Sequence, residues 1–276
     1  MRPSSAQAAQ RLIASYILDH HEGHSGIVYC LSRKDTHTMA DALAQHSSGR
    51  IRTGVYHSDL DEAEKHRVHA QWRTGAIQVV CATIAFGMGI DKGDVRFVVH
   101  ACISKSLEGY YQETGRAGRD GAPSDCVLLY RAAADMSRVS GMTASEVGAQ
   151  AKLHAMLRYA QSELCRQSIL ATYFDEPRTE PCGVCDRCQS PPPRHADVSV
   201  WAAHAVQVVS DVYARGSRIT LAALADAVYA AAKSDAALSR VDCECLVVQL
   251  VLDGYLSERF QATAYTVNMY VVPGPR

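Results

Sequence analysis

The chain has 276 residues, 47% of them hydrophobic and 21% charged, and a formal net charge of −1. That balance excludes a disordered chain and fits one large or two to three small globular domains; no apolar run is long enough to span a bilayer, so no membrane partner is expected. Near-neutral charge also excludes a uniformly basic nucleic-acid binder, so any basic surface must be local, or shared with another chain or domain.

Met1-Arg2-Pro3-Ser4-Ser5 has no apolar signal segment, so the ten cysteines are read as reduced. Cys30, Cys81, Cys102, Cys126, Cys243 and Cys245 lie in apolar patterns and are expected to be small buried core residues.

Taken in order, the first half alternates helices and strands. Apolar Leu12, Ile13, Tyr16 and Ile17 predict a helix over 6–20, and the continuous apolar run 26–31 a strand covered on both faces. Ser32 is placed to cap a helix over 35–46. Strands follow at 51–56, 77–83, 95–100 and 126–130, with helices at 61–74 and 107–114 between them. Asp61-Glu62-Ala63-Glu64 opens a helix and is read as ordinary first-turn chemistry. Such alternation predicts a parallel sheet with helices on both faces, and ligands beyond the carboxyl ends of its strands. Those ends are Ser32-Arg33, Tyr56-His57, Thr83 to Asp91, and His100-Ala101.

Two stretches carry candidate chemistry. The loop from Thr83 to Asp94 holds glycines at 87, 89 and 93, which permit close approach of a nucleotide or a nucleic-acid backbone, although the dinucleotide-binding glycine spacing is absent. Further on, Gln112-Glu113-Thr114-Gly115-Arg116-Ala117-Gly118-Arg119-Asp120-Gly121 sets two arginines three residues apart. In a helix they would share a face, and paired guanidiniums suit the charge on a transferring phosphoryl group.

The run from Cys81 through Ala82-Thr83-Ile84-Ala85-Phe86-Gly87-Met88-Gly89-Ile90-Asp91-Lys92, and then from Ser106 to Gly121, resembles the second motor lobe of RecQ-family DNA helicases. Tyr29-Cys30-Leu31-Ser32-Arg33 and Tyr56-His57 resemble earlier motifs of that lobe. The resemblance implies an α/β, RecA-like lobe. It makes Arg119 an arginine finger for the γ-phosphate, with Arg116 in support and Gln112 coupling nucleotide state to movement. Asp91 and Gly89 would lie at the ATP, Asp91 near the ribose; Ser32, Arg33, His57 and Thr83 would lie along the DNA strand. Ser58-Asp59 stands where many members have Ala-Gly, and Gly93 and Ser104 where many have proline. A motor of this kind needs a phosphate-cradling loop ending in Gly-Lys, and no Gly-Lys dipeptide occurs in the sequence. The first motor lobe is therefore expected to be supplied separately, in cis or in trans, and ATP and Mg2+ to bind only together with it.

Helices are predicted over 149–164 and from 165 to about 174, and then Cys182-Gly183-Val184-Cys185-Asp186-Arg187-Cys188 spaces three cysteines in steps of three. With Cys165 upstream they make a closed four-thiolate site for structural zinc, with an iron–sulfur cluster as the alternative metal and His195 as an alternative fourth ligand. The arrangement also resembles the RecQ zinc-binding subdomain. The proline run 191–193 marks a linker. Beyond it, helices are predicted over 198–214 and 221–232, and from a Ser239-x-x-Asp242 cap to Gly254. A β-hairpin follows, with strands 255–260 and 265–272. This order resembles the RecQ winged-helix domain, whose candidate DNA contacts here are Arg215, Arg218, Arg240 and, near the hairpin tip, Phe260.

The sequence thus predicts a second RecA-like lobe over 1–140, a helical zinc-binding subdomain over 141–195 and a winged-helix domain over 196–276. The resemblance implies the C-terminal portion of an ATP-dependent 3′→5′ DNA helicase, active in replication, recombination and repair on single-stranded or forked DNA, nuclear in a eukaryote and otherwise cytoplasmic. The competing classes are a non-catalytic DNA-binding or regulatory protein derived from such a helicase, and a purely structural zinc module.

Overall fold

The computed structural model describes residues 1–87, 91–178, 180–191, 196–234, 238–263 and 266–276. They divide into two compact units, one of residues 1–104 and 108–131, the other of 105–107 and 132–276.

In the first unit α1 (Ala6–His20) leads into β1 (Ser25–Tyr29), α2 (Arg33–His46), β2 (Thr53–Tyr56), α3 (Glu62–Arg73), β3 (Val79–Ala82), β4 (Val95–His100), α4 (Leu107–Thr114) and β5 (Asp125–Leu128). The strands form one parallel sheet in the order β2-β3-β1-β4-β5. Alternate residues explain its two faces. Val28, Cys30, Val79, Cys81, Phe97 and Val99 pack against α1 and α2, whereas Ile27, Tyr29, Val80, Ala82 and Val98 meet α3 through Val68 and Trp72. Gly26 is required by contact: a Cβ there would sit 2.1 Å from the Phe97 ring. Ser32 caps α2 in a reciprocal box with Asp35, and Asp61 caps α3 by accepting the Glu64 N–H at 2.7 Å.

Cys30, Cys81, Cys102 and Cys243 are buried as expected, and Cys245 is half-buried. Cys126 departs from expectation and is exposed. The reason is strand order: β5 pairs only with β4, at the edge of the sheet.

The second unit holds α5 (Ala132–Thr143), α6 (Ala149–Gln161), α7 (Arg166–Tyr173), the single turn α8 (Asp186–Gln189), α9 (Ser199–Ala214), α10 (Leu221–Ala231), α11 (Arg240–Leu252), and an antiparallel pair, β6 (Leu256–Ala262) and β7 (Val267–Pro273). The sequence reading missed α5, although Ala132, Ala133, Met136, Val139 and Thr143 recur at helical spacing and are all buried. This helix packs against α6, α10, α11 and β7. At Gly141 it approaches β7 so closely that a Cβ would meet the Val267 carbonyl oxygen at 2.8 Å. Glu258 of β6 accepts from Ser140 at 2.8 Å and lies 2.9 Å from His154 Nε2. The caps expected at Thr220 and Ser239 are present. The first hairpin strand runs two residues past its expected end, so Phe260 lies inside β6, opposite Met269, and not at the tip.

Candidate functional site

The arginine-bearing stretch is not helical at the arginines, which corrects the shared-face expectation. Helix α4 ends at Thr114, and Arg116 and Arg119 lie in the turns that follow. The stretch is pinned along its length. Gly118 N–H donates to Val95 O at 2.9 Å and Asp120 N–H to Gly93 O at 3.3 Å. Gly118 has φ +64°, and a Cβ there would fall 2.5 Å from Ser124 Oγ, so glycine is needed. Arg96 Nη2 reaches Asp120 Oδ2 at 2.5 Å and Gly93 O at 3.2 Å, tying the two loops together. The Asp120 carboxyl is held below the usual aspartate range by the Arg96 hydrogen bond first and the Ala122 N–H second.

Arg116 turns inward. Its Nη1 donates to Gly87 O at 2.6 Å, and its Nε is buried with no acceptor among the described residues. A Cβ on Gly87 would lie 2.6 Å from Arg116 Nη2, so a larger residue would push the guanidinium off its seat. Tyr29 donates to the neighbouring Phe86 carbonyl at 2.9 Å. Burial pushes the Tyr29 phenol up, against an opposing pull from the Arg116 charge. Arg119 turns outward: its side chain is 39% exposed and its Nη1 lies 3.9 Å from Asp91 Oδ1. Below Gln112 the helix is anchored by Glu113, whose Oε2 meets His100 Nε2 at 2.7 Å and Ser104 Oγ at 2.7 Å, all three buried. Charged and polar groups survive such burial only when satisfied, so this bridge fixes the rotation of α4 and with it the direction of both arginines. Gly89 lies outside the described residues.

The residues assigned to a DNA strand gather at the carboxyl ends of the sheet. Ser32 and Arg33 follow β1, His57 follows β2 and Thr83 follows β3, three neighbouring strands, all at their carboxyl ends. Thr83 N–H donates to Tyr56 O at 3.1 Å. His57 is buried against His37, with their Nε2 atoms 3.1 Å apart. Burial, then the His37 and Arg33 charges, lower its pKa. Arg33 forms an ion pair with Asp59. The Thr83–Asp94 loop leaves the carboxyl end of β3 at Thr83, meets Arg116 at Gly87 and meets Arg96 at Gly93.

The four cysteines come together as expected. Cys182–Cys188, Cys185–Cys165 and Cys185–Cys188 Sγ distances are 3.9, 4.0 and 3.5 Å, and all four sulfurs lie within 4.8 Å of one another. Sulfurs about 2.3 Å from one tetrahedral zinc are spaced by about 3.8 Å, so the set fits a single ion. An iron–sulfur cluster, whose thiolates sit on separate irons, needs a wider spread. Gly183 turns the chain with φ +74°. Backbone N–H groups of Cys182 and Arg166 point at Cys165 and Cys185 Sγ, at 3.3 and 3.5 Å. Burial pushes the Cys165 thiol up, but the Cys182 N–H and Ser168 donors outweigh it and bring it down to about 5. Cys188 goes the other way, to about 11, through burial and its sulfur neighbours. Such crowding of thiolates calls for a cation. His195 lies outside the described residues.

Sequence reasoning missed the brace around this cluster. Arg166 grips Asp186 with two parallel bonds, Nε to Oδ1 at 2.8 Å and Nη2 to Oδ2 at 3.0 Å, and donates to Tyr159 O while its guanidinium covers the Tyr159 ring at 5.3 Å. The available signal was the charge next to two of the ligands, Cys165-Arg166 and Cys185-Asp186. In the C-terminal part, Arg215 Nε bonds Asp211 O at 2.9 Å, Arg218 bonds Gln261 and covers the Tyr270 ring, and Arg240 is matched by Asp226 and Glu244.

Residues 7–121 match the helicase conserved C-terminal domain, and residues 133–189 match the RecQ zinc-binding family. The chain is 41% identical over 267 residues to an Arabidopsis thaliana ATP-dependent DNA helicase Q-like 2, covering 95% of this chain and 37% of that protein. It is 37% identical over 287 residues to the Rattus norvegicus ATP-dependent DNA helicase Q1, covering 100% and 46%. Against the ATP-dependent DNA helicase RecQ of Haemophilus influenzae it is 39% identical over 200 residues, covering 71% and 31%. The chain spans less than half the length of these curated relatives. The zinc-binding match and the four-cysteine geometry together support a structural zinc ion. With a helicase C-terminal domain on a parallel sheet, followed by this cysteine cluster, the chain belongs to the RecQ family of helicases.

Proposed function

We propose that this chain supplies the second motor lobe, the zinc hairpin and a winged helix to a RecQ-type 3′→5′ DNA helicase that couples ATP hydrolysis to unwinding. The observation that carries the proposal is the division of labour between the two arginines. Arg116 is half-buried on the Gly87 carbonyl, while Arg119, three residues on, stays exposed beside Asp91. A half-buried, hydrogen-bonded support and an exposed guanidinium on a pinned loop suit an arginine finger that completes a phosphate site on another surface. In this reading Gln112, on the α4 turn fixed by Glu113, transmits nucleotide state, Asp91 lies near the ribose, and Gly89, outside the described residues, is assigned to the ATP site. ATP and Mg2+ bind only when a lobe carrying a phosphate loop is present, in cis or in trans.

Ser32, Arg33, His57 and Thr83 line the path of a DNA strand. Three helices followed by a hairpin make the winged helix, with Arg215, Arg218 and Phe260 available to DNA; Arg240, already matched by two carboxylates, contributes least. The division at 140 and 195 and a nuclear location in a eukaryote belong to the same reading. A second reading, a DNA-binding or regulatory protein without catalysis, draws on the missing Gly-Lys dipeptide.

The test is forked-duplex binding by fluorescence anisotropy at low salt, with an ATPase assay of the same sample. Binding without hydrolysis is expected. No binding above background sinks both readings, and DNA-stimulated hydrolysis by this chain alone contradicts the need for a phosphate-loop lobe.

A further inference from the structure

The carboxyl edge of the sheet contains an acidic group that none of the assigned roles uses. Asp59 lies in the turn after β2, and its carboxylate forms the ion pair with Arg33 at the start of α2. Asp59 is no core residue: its side chain is 52% exposed, and its Oδ1 accepts only a weak bond from the adjacent Ser58 hydroxyl at 3.2 Å. Arg33 is 59% exposed. The nearest acidic residue in sequence, Asp35, is already taken, since its Oδ2 receives both the Ser32 N–H and the Ser32 hydroxyl. Arg33 is thus free of local capping duties, and its charge is met from another loop.

A carboxylate and a phosphodiester present the same recognition surface to guanidinium, two oxygens in a plane, and compete for it. We propose that Asp59 is a placeholder for a nucleic-acid phosphate: it holds Arg33 in the unliganded chain and must give it up when a strand enters, lowering affinity at this edge. The proposal rests on the reading of Arg33 as a strand contact. An exposed ion pair costs little to open, so the penalty is modest and the exchange reversible. A strand makes the exchange worthwhile only when neighbouring phosphates are engaged together, which favours continuous strands over isolated phosphates or mononucleotides.

The test is binding of a fluorescein-labelled oligothymidylate to the zinc-loaded full chain, by anisotropy across a salt series, for the wild type, D59N, R33A and the double variant. Asp59→Asn is expected to tighten binding about two- to fivefold at low salt and to steepen the salt dependence. In the Arg33→Ala background the same change should give no gain, because the competition has lost its object. An equal gain in both backgrounds would overturn the proposal, since Asp59 would then act only as a distant negative charge. No gain in either background overturns it as well. A wild type that binds no oligonucleotide at low salt removes the strand reading, and the placeholder with it. Wild-type binding that Arg33→Ala leaves unchanged removes Arg33 as a strand contact and overturns the placeholder with it, while the strand reading of the other residues stands.

Discussion

The parallel-sheet lobe and the cysteine segment are held together by different means. In the lobe, both faces of every central strand are buried, and Trp72, Phe86, Phe97, Ile27 and Leu43 are fully enclosed. In the segment carrying Cys165 to Cys188, helix α7 buries only Leu170 and the turn α8 buries nothing. Apolar burial, at about 25 cal/mol per Å2, organises the first. It cannot organise the second, where the order comes from thiolates converging on one ion and from the Arg166–Asp186 brace. The lesson is functional. A burial-driven lobe can present Arg119 on a rigid loop, whereas the cysteine segment is ordered only as far as its metal is held.

Metal removal is the strongest way to break this contrast. Chelation should abolish protection of 165–190 in hydrogen exchange, since structural zinc contributes on the order of 10 kcal/mol or more, while β1, β3 and β4 keep their protection. Equal loss in both regions would show that the lobe also depends on metal. The converse change is Trp72→Ala. It removes a side chain with no exposure, packed 5.3 Å from Phe86 and under Lys92, and should cost the lobe about 3–5 kcal/mol in denaturant unfolding. Zinc stoichiometry, read by a chromogenic chelator, should remain one per chain.

A finer probe is Arg166→Ala, which removes the brace and leaves all four ligands. Groups that orient metal ligands are worth about 10–100-fold in affinity, and a zinc competition titration should show a loss of that order. The smallest effect concerns acid. The lowered Asp120 carboxyl lends stability that is complete above the ordinary aspartate range and is lost as pH falls through its depressed value. Protection factors at Gly118 and Gly121, relative to the unstructured rate at each pH, should therefore fall only below about pH 4, and Asp120→Asn should give the lower protection at neutral pH. The zinc site, whose thiols must be deprotonated, should weaken with acid as well, and a chelator at each pH separates the two events.

Much of this was legible in the sequence for a physical reason: local signals fix local structure. The apolar periodicity of 6–20, the run 95–100 and the span 107–114 appear with the expected limits, and the caps at Ser32, Thr220 and Ser239 form as their residue types dictate. The four clustered cysteines were equally legible, because three of them recur in steps of three, at 182, 185 and 188. What could not be read depends on partners distant in the chain. Cys126 is exposed because β5 ends at a sheet edge, and nothing near residue 126 encodes strand order. Glu113 finds His100, Arg96 finds Asp120, and Glu258 finds Ser140 and His154, each through folding alone. The arginines three residues apart pointed to phosphate chemistry, but their separation into an inward, half-buried member and an exposed one required the Gly87 carbonyl and the Val95 anchor.

The most direct test of the central claim is DNA-stimulated ATP hydrolysis by this chain joined to a RecQ-type first lobe that carries a phosphate loop. Comparing the wild type with Arg119→Ala and Arg119→Lys, the account predicts robust turnover that falls about 10³-fold or more in both variants, with oligonucleotide binding retained. Turnover within about tenfold of wild type in Arg119→Ala, with binding intact, would contradict the assignment of Arg119 as the group that completes the ATP site.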